Sequence, residues 1–412
     1  MSLHAKSDFE PRYATRAVRM RSSEIRELLK LLDQPGVISF AGGIPDPALF
    51  PVDMAKAAYD DILSNAQGAA QGLQYSASEG YAPLRDWVVA HMAERGVTCT
   101  PDNIVMTNGS QQALEFLGRL LLSPNDTALV EAPTYLGALQ AFSAYEPRYD
   151  TIAPENSNRT PASYLEAASA VGGTAKFAYV VPDFANPTGV TMSLAARQRL
   201  LALARELDIP VLEDTAYVAL RFEGSDMPSL QSLDVAQEGS IDRSRVAYLG
   251  TFSKTMTPGL RTGWICASAP LVRRLVLIKQ ASDLNSPAIN QMVMQRMASA
   301  IYDAQVMKAR VHYRAKRDAM LAALSAHMPK GVTWTRPEGG LFVWVTMPPG
   351  IDAAALLKRA VAEARIAFVP GHAFFNDGSG RNTMRLSYSL PSLADIDAGI
   401  ARLGKLIGES VA

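Results

Sequence analysis

One short segment combines a lysine, an arginine and several hydroxyl groups directly after a β-branched run. The sequence Thr251-Phe-Ser-Lys-Thr-Met-Thr-Pro-Gly-Leu-Arg-Thr-Gly-Trp places Arg261 seven residues after Lys254. A lysine amine forms Schiff bases with carbonyl compounds, and burial near other cations lowers its pKa into a useful range. Lys254 is therefore a candidate covalent nucleophile. The alternative is an exposed surface lysine.

A second segment, Thr107-Asn-Gly-Ser-Gln-Gln, joins a predicted strand to a predicted helix and has the residue types of an anion site. Gly109 allows a turn, and the free N–H groups of Ser110 and Gln111 would face an anion at the positive end of the helix. The alternative is a plain turn with Ser110 as the N-cap. The segment lacks the G-K-[ST] of a P-loop, and the sequence has no G-x-G-x-x-G fingerprint.

Two further segments put polar residues at strand ends. Asn186 precedes a proline in Pro182-Asp-Phe-Ala-Asn-Pro-Thr-Gly, and Val211-Leu-Glu-Asp-Thr-Ala-Tyr ends a predicted buried strand with Glu213 and Asp214. A buried carboxylate needs a cation or a strong donor as partner. An ordinary Asn-Pro turn and a turn-capping aspartate are the alternatives. Because open α/β sheets bind ligands beyond the carboxyl ends of their strands, we expect all four segments to converge.

The elements that must position these residues alternate in the way typical of βαβ units on a mostly parallel sheet. Helices are predicted at 111–122, 135–144 and 193–207. Strands are predicted at Asn103–Thr107, Thr127–Glu131, Lys176–Val181, Pro210–Asp214, Val246–Gly250 and Gly263–Ala267. This pattern predicts a large α/β domain.

The flanking regions predict a second, smaller α+β domain built from both chain ends. Ile25, Leu28, Leu29 and Leu32 follow helical spacing before the loop Phe40-Ala-Gly-Gly-Ile-Pro-Asp-Pro. Downstream we expect one long helical stretch at 269–328, then strands at 332–335, 341–346, 367–369 and 383–387, and helices at 353–364 and from Leu393. The expected division is an N-terminal arm at 1–50, a large domain at 51–295 and a C-terminal domain at 296–412, with the ligand site in a cleft between the large and small domains.

The amino-acid composition argues against several classes of protein function. The 412 residues carry 40 Lys and Arg against 40 Asp and Glu, so the balance favours neither nucleic acid nor an anionic membrane as a partner. Cys99 and Cys266 are distant in sequence, and the five histidines form no ligand pair, so neither a metal site nor a disulfide framework is expected. No signal-peptide-like or long apolar run occurs, and we expect a cytoplasmic protein.

Together the segments GSQQ, NPTG, ED..Y and SK......R, in this order and spacing, resemble the pyridoxal-phosphate enzymes of fold type I, and among them the class I/II aminotransferases. The resemblance runs from about Ser22 to Leu406. It is nearest to the 2-aminoadipate and kynurenine aminotransferase subgroup, through SFAGGIPDP, LQYSASEGYAPLR, EAPTY, RPEGGLFVW and FVPGHAFF. It implies a mostly parallel seven-stranded sheet, pyridoxal 5'-phosphate as cofactor and a homodimer with shared active sites.

The resemblance also implies roles for individual residues. Lys254 would form the Schiff base with the cofactor, and Asp214 would pair with its ring nitrogen. Tyr135 would stack on the ring. The remaining implied contacts are Asn186 and Tyr217 with the ring hydroxyl, Ser110, Gln111, Ser253 and Arg261 with the phosphate, Tyr75 of the neighbouring subunit also with the phosphate, and Arg385, Gly43 and Asn186 with the substrate.

The implied activity is the transfer of an amino group between an L-amino acid and a 2-oxo acid such as 2-oxoglutarate, by ping-pong kinetics. Glutamate, 2-aminoadipate or a large apolar or aromatic amino acid would be the donor. Arg26 would read an acidic side chain; alternatively it forms an exposed pair with Glu24 or Glu27. A β-lyase or decarboxylase on the same scaffold is the alternative enzyme. The ligand-sensing half of a transcription regulator would need an upstream DNA-binding module, for which the first helical pattern begins too early.

Overall fold

The computed structural model describes residues 9, 12–14, 16–17 and 36–411 of the chain. Its centre is a seven-stranded sheet of order β2-β8-β7-β6-β5-β3-β4, in which β8 alone is antiparallel to its neighbours. The strands are β2 (Ile104–Thr107), β3 (Thr127–Val130), β4 (Arg148–Thr151), β5 (Ala175–Val180), β6 (Val211–Asp214), β7 (Val246–Thr251) and β8 (Gly263–Cys266). The large α/β fold predicted from the sequence is therefore confirmed.

The sheet is covered on both faces, which explains the short apolar runs in the sequence. Within β5, Phe177 and Tyr179 pack into one hydrophobic cluster, whereas Ala178 and Val180 pack into another on the opposite face. Six of the seven strands were predicted to within a residue or two. The missed strand, β4, is the edge strand, and its residues RYDT are half-buried or exposed, so its composition is that of a loop.

The helices cover these faces and join the two parts of the chain. They are α1 (Val52–Ser64), α2 (Ala66–Leu73), α3 (Ala82–Glu94), α4 (Ser110–Leu121), α5 (Leu136–Ser143), α6 (Pro161–Ala170), α7 (Leu194–Glu206), α8 (Leu230–Glu238), α9 (Ala269–Gln280), α10 (Ala288–His327), α11 (Ala353–Arg359) and α12 (Leu393–Val411). The single helical stretch predicted at 269–328 is wrong, because α9 and α10 are separate. Leu284 at φ +64° and Pro287 interrupt the helical pattern between them.

The N-termini of the helices differ in whether a side chain caps them. Ser193 and Ser229 cap α7 and α8 by accepting backbone N–H bonds of 3.2 and 2.9 Å. The N-cap of α4 is Gly109, which has no capping side chain, so the alternative reading of Ser110 as the cap is wrong. The first N–H groups of α4 are therefore available to a ligand.

A smaller sheet of order β12-β13-β10-β9 lies at the C-terminal part of the chain, and β1 pairs in parallel with β11. The strands are β1 (Ile38–Ser39), β9 (Thr333–Trp334), β10 (Phe342–Thr346), β11 (Ile366–Ala367), β12 (Val369–Pro370) and β13 (Thr383–Ser387). Ile38 is opposite Ile366, so both chain ends build this part, as predicted. The proposed boundary between residues 295 and 296 falls inside α10 and stays a prediction.

The described residues contain neither a membrane-spanning helix nor a cluster of potential metal ligands. Within residues 36–411 and the short N-terminal pieces, no helix has the length and apolar composition needed to cross a bilayer. The same part of the chain contains no group of three or more His, Cys, Asp or Glu side chains that could hold a metal ion. Cys99 and Cys266, distant in sequence, are free thiols that contact each other.

Candidate active site

A cavity of about 220 Å³ opens at the carboxyl edge of the large sheet. The four sequence segments converge there, as expected for an open α/β sheet. Nine of the residues singled out from the sequence line it: Ser110, Gln111, Tyr135, Asn186, Asp214, Tyr217, Ser253, Lys254 and Arg261. Ile44 and Pro45 of the loop after β1 close part of its wall.

Lys254 lies just beyond the end of β7 and points into this cavity. Its Nζ donates a hydrogen bond of 3.1 Å to the carbonyl of Gly43 and lies 5.9 Å from the ring centre of Tyr217. Burial, followed by the charges of Arg385 and Arg261, lowers the pKa of Lys254 to about 8. At pH 7 about a tenth of the amine is therefore unprotonated, far more than for a lysine in water. The position of Nζ inside the cavity contradicts the surface-lysine alternative.

Asp214 ends β6 and faces the same cavity. Its Oδ2 accepts a 3.0 Å hydrogen bond from the hydroxyl of Tyr179, and its Oδ1 accepts the N–H of Ala216 at 3.3 Å. Burial raises the pKa of Asp214 to about 6. The bond to Ala216 is the turn cap considered as an alternative, but the carboxylate also faces Lys254, whose charge lowers its pKa.

Tyr179 was not predicted as part of the site. It lies on β5, which pairs with β6, and it is fully buried. The only signal in the sequence is a tyrosine near the end of a predicted buried strand, where its hydroxyl needs a partner. Because the pairing of β5 with β6 supplies that partner, the signal could be interpreted only with the strand order known.

Glu213, the neighbour of Asp214, points to the opposite face of the sheet. It accepts hydrogen bonds from the backbone N–H groups of Leu230 and Gln231, at 2.7 and 2.9 Å, at the beginning of α8. Burial raises the pKa of Glu213 to about 7. Since side chains alternate across a strand, one of the two acidic residues faces the cavity and the other anchors a helix.

The other end of the cavity is built to hold an anion. Gly109 has φ +78°, and a Cβ at this position would lie 2.6 Å from Nη2 of Arg261. Arg261 Nη2 donates to the carbonyl of Asn108 at 3.0 Å, which brings the guanidinium next to the uncapped beginning of α4. Ser253 accepts the hydroxyl of Thr251 at 2.9 Å beside them. Positive charge, free N–H groups and hydroxyls thus meet at one point.

Arg385 lies on β13 and is almost completely buried beside the cavity. Its Nη1 donates to Oδ1 of Asn186 at 2.8 Å and its Nη2 to the carbonyl of Ala41 at 2.7 Å. The guanidinium carbon lies 4.3 and 5.1 Å from the ring centres of Phe342 and Phe374. Its Nε has no hydrogen-bond partner among the described residues. Burial lowers the pKa of Arg385 to about 10.

Three further contacts shape the wall. Asn186 donates to the hydroxyl of Tyr217 at 3.4 Å, so these two predicted residues form one unit. A Cβ at Gly43 would lie 2.6 Å from the ring of Phe342. A Cβ at Gly137 would lie 2.4 Å from the hydroxyl of Tyr135, so Gly137, which the sequence reasoning missed, leaves the space in which this tyrosine folds over α5.

Of the predicted residues that the structure describes, Gly43, Arg385 and Tyr75 do not line this cavity, although Gly43 and Arg385 are bonded to the lining residues Lys254 and Asn186. Tyr75 is 79% exposed. Arg26, and the amphipathic helix predicted around it, lie outside the described residues. The contributions of Tyr75 and Arg26 to a site stay predictions.

The residues present fit pyridoxal phosphate. A buried amine of lowered pKa, a buried acid across the cavity, a tyrosine on the wall and an anion-binding helix end match the aldehyde, ring nitrogen, ring face and phosphate of that group. Among the described residues, Nε of Arg385 has no hydrogen-bond partner and the N-terminus of α4 has no capping side chain, so both can receive a polar ligand group. Fold and cavity define a pyridoxal-phosphate enzyme of fold type I.

Comparison with known proteins gives the family. The model of aminotransferase class I and II matches residues 36–403. The chain is 41% identical over 409 residues to aromatic-amino-acid aminotransferase 1 of Thermococcus litoralis (98% of this chain, 96% of that protein), and 41% identical over 391 residues to 2-aminoadipate transaminase of Thermus thermophilus (95% of each). The kynurenine aminotransferase structure of Pyrococcus horikoshii matches with a TM-score of 0.90 and 39% identity, over 98% of this chain and 99% of that one.

The chain belongs to the class I and II aminotransferases and is a transaminase that uses pyridoxal phosphate. The family and fold predicted from the sequence are confirmed. The lyase or decarboxylase alternative is not favoured, because the relatives with about 40% identity are aminotransferases.

Proposed function

We propose that the enzyme exchanges an amino group between glutamate and a second amino acid, either 2-aminoadipate or a large apolar or aromatic one, through their 2-oxo acids. The names of the relatives, aromatic-amino-acid and 2-aminoadipate aminotransferases, support this range of substrates. The observation that carries the proposal is Arg385. A buried guanidinium between two phenylalanine rings, with an unpartnered Nε, suits a carboxylate attached to a partly apolar molecule.

The cofactor contacts are proposed from the lining of the cavity. Ser110, Gln111, Ser253 and Arg261 would hold the phosphate, Tyr135 the ring face, and Asn186 with Tyr217 the ring hydroxyl. When bound, pyridoxal phosphate supplies an aldehyde that condenses with amines and a ring that accepts an electron pair from the substrate. Asp214, held by Tyr179, would keep a negative charge beside the ring nitrogen.

Lys254 would carry the proton transfers. A pKa of about 8 leaves part of its Nζ unprotonated near neutral pH, so the amine can take the proton from the substrate Cα and later return it. Gly43, whose carbonyl accepts a hydrogen bond from Nζ, would hold the amine on the side of the cavity formed by the loop after β1. Arg385 would fix the α-carboxylate and so direct Cα toward Nζ.

A half-reaction experiment tests the transaminase assignment and its substrates. With glutamate alone, the enzyme should form one equivalent of 2-oxoglutarate per active site and then stop, because no acceptor regenerates the cofactor. The same measurement with 2-aminoadipate, phenylalanine and leucine ranks the donors. Continued product formation without an acceptor would contradict the proposal and identify a lyase.

Substitution of Arg385 tests its proposed carboxylate contact. R385L should raise KM for every amino acid substrate by about a hundredfold, as expected for loss of a charge-assisted bidentate contact. The exposed Arg381, on the same segment and paired with Asp352, offers a matched control in R381L. Unchanged KM values in R385L would exclude this role.

Arg26 is proposed to read an acidic side chain. In R26Q, activity with glutamate and 2-aminoadipate should fall while activity with leucine is retained. Equal losses with acidic and apolar donors would contradict side-chain recognition by this residue.

A homodimer with shared sites is proposed from Tyr75. This tyrosine and its neighbour Leu73 are 79% and 73% exposed in the single chain, which suits an interface at which Tyr75 reaches the phosphate of the partner. Sedimentation should give twice the mass of 44.4 kDa. Y75F should weaken cofactor binding, and a stable monomer with full activity would contradict the proposal. A cytoplasmic location is part of the same proposal and rests on the sequence alone.

A further inference from the structure

An ion pair between a buried lysine and a half-buried aspartate lies behind the anion-binding end of the cavity. Lys279, at the end of α9, is completely buried, and its Nζ lies 3.1 Å from both carboxylate oxygens of Asp283. It also donates to the hydroxyl of Ser286 at 2.9 Å. Both residues lie outside the cavity lining, and the segment between α9 and α10 carries the aspartate.

This pair is joined directly to the turn that precedes α4. Oδ2 of Asp283 accepts hydrogen bonds from Nδ2 of Asn108 at 2.8 Å and from Nε2 of Gln112 at 2.7 Å. Oε1 of Gln112 in turn accepts the backbone N–H of Asn108 at 2.8 Å and Nζ of Lys279 at 3.3 Å. The backbone and the side chain of Asn108 are therefore held by the same network.

The same turn contacts Arg261, so the network that holds the turn also fixes the position of the guanidinium. The carbonyl of Asn108 accepts Nη2 of Arg261 at 3.0 Å, and the next residue, Gly109, approaches the guanidinium so closely that a Cβ would lie 2.6 Å from Nη2. A shift of this turn by a few tenths of an ångström would change both the direction of the α4 N–H groups and the position of Arg261.

We infer that Asp283 is a positioning residue, which holds the Asn108–Gly109 turn against Arg261 and so sets the geometry of the site for the phosphate monoester of the cofactor. The inference rests on the proposed phosphate contacts of Ser110, Gln111 and Arg261. Asp283 does not touch the ligand. It acts through Asn108, and the ion pair with Lys279 makes the carboxylate a fixed, charged acceptor.

The test compares two ligands that differ only in the phosphate. Full-length apoprotein is titrated with pyridoxal phosphate and with pyridoxal, following tryptophan fluorescence. N108A removes the direct bond between the turn and Asp283 but keeps the ion pair and the connection through Gln112. It should raise the Kd of pyridoxal phosphate about tenfold while leaving the Kd of pyridoxal within about twofold. N285A is the matched control, because the Asn285 amide donates to Ser286 within its own segment.

A second variant keeps the test valid if N108A fails to fold. K279M/D283L replaces the ion pair with apolar side chains of similar size, which leaves no unpaired buried charge, and it should show the same selective loss as N108A. A rise of the Kd for both ligands alike, or for neither, in the variant that folds would overturn the inference.

A third variant separates this inference from the proposed function. R261Q should also lose affinity for pyridoxal phosphate selectively. If R261Q does so and K279M/D283L does not, the positioning role of Asp283 is wrong and the phosphate site stands. If R261Q does not discriminate between the two ligands, the proposed phosphate site itself is wrong.

Discussion

The two sides of strand β6 carry buried charges that are paired in different ways. On the side of Glu213, the buried Arg197 donates to the carbonyls of Met192, Pro228 and Pro182 and to the carboxylate of Asp183, at 2.9 to 3.1 Å. On the side of Asp214, Nζ of Lys254 donates to one neutral carbonyl, and Nε of Arg385 has no partner among the described residues. Arg197 and Arg385 are both buried and Lys254 is half-buried, and the main difference between the two sides is in their hydrogen bonding.

The number of hydrogen-bond partners distinguishes charged groups that stabilise the fold from charged groups that can still bind a ligand. A buried ion with several partners recovers its lost hydration within the protein. A buried ion with few partners recovers it only when a substrate or cofactor arrives, and until then its pKa is displaced. Removing charges of the first kind should therefore reduce stability, and removing charges of the second kind should reduce activity.

Replacement of Lys254 should give the largest effect, a loss of catalytic activity without a loss of stability. K254A should reduce kcat by at least about 10⁴-fold, because the amine proposed to move the proton is lost, while the free energy of unfolding changes by less than about 1 kcal/mol. Steady-state kinetics and urea unfolding measure the two quantities. K358A, at an exposed position on α11, is the matched control. Activity above one hundredth of wild type would contradict the role of Lys254.

Arg197 should show the reverse behaviour. R197M leaves Asp183 without its shorter ion pair, of 2.9 Å, and several carbonyls without donors, and it should reduce the free energy of unfolding by about 3–5 kcal/mol. The kcat of the folded fraction should fall far less than in K254A. R199M, two residues away and partly exposed, is the control. If R197M unfolds at the urea concentration of wild type, the buried network does not hold the fold.

Glu213 should give a smaller effect that depends on pH. Its pKa is raised from 4.5 to about 7, so between these values the folded protein binds more protons than the unfolded chain, and the free energy of unfolding falls as pH rises. In E213Q this contribution, of about 1–3 kcal/mol, should be absent, so that the variant loses less stability than wild type between pH 5 and 7. If the free energy of unfolding changes with pH equally in wild type and E213Q, the pKa of Glu213 is not raised in the folded protein.

The smallest effect is a shift in the pKa of Lys254 itself. After burial, the charge of Arg385 is the largest cause of the lowered pKa. R385L should therefore move the pKa of Lys254 upward from about 8, toward the ordinary lysine value. The rate of Lys254 acetylation in the apoprotein, followed by mass spectrometry against pH, measures it, with R381L as control. No shift would mean that Arg385 does not contribute to the lowered pKa, which leaves burial and the charge of Arg261 as its causes.

The sequence predicted most of what faces the cavity, because the cavity is made at strand ends. A lysine after β7, an Asn-Pro after β5 and an acid at the end of β6 are each visible locally. Once strands are placed on a parallel sheet, their carboxyl ends meet. Strands with apolar runs were predicted from their composition, whereas the two-residue strand β1, the charged edge strand β4 and the helices α1 to α3, α6 and α8 were not predicted. The strand predicted at 367–369 is in fact two short strands, β11 and β12, in different sheets.

What could not be predicted depends on contacts between distant parts of the chain. The carbonyl of Gly43 accepts from Lys254, 211 residues further on, and no local pattern encodes that pairing. The hydroxyl of Tyr179 finds Asp214 only through the order of β5 and β6. The role of Gly137 depends on how the Tyr135 side chain folds back over α5, and no spacing rule reveals this.

The pairing of β1 with β11 has a consequence for the order of synthesis. The loop that carries Gly43 follows β1, and β1 finds its partner, Ile366–Ala367, only near the end of translation. Arg385 is made later still. A nascent chain can thus assemble β2 to β8 and the anion-binding turn long before it can form the carboxylate end of the cavity. The order of synthesis therefore allows the anion-binding end of the cavity to form before the end that carries Gly43 and Arg385.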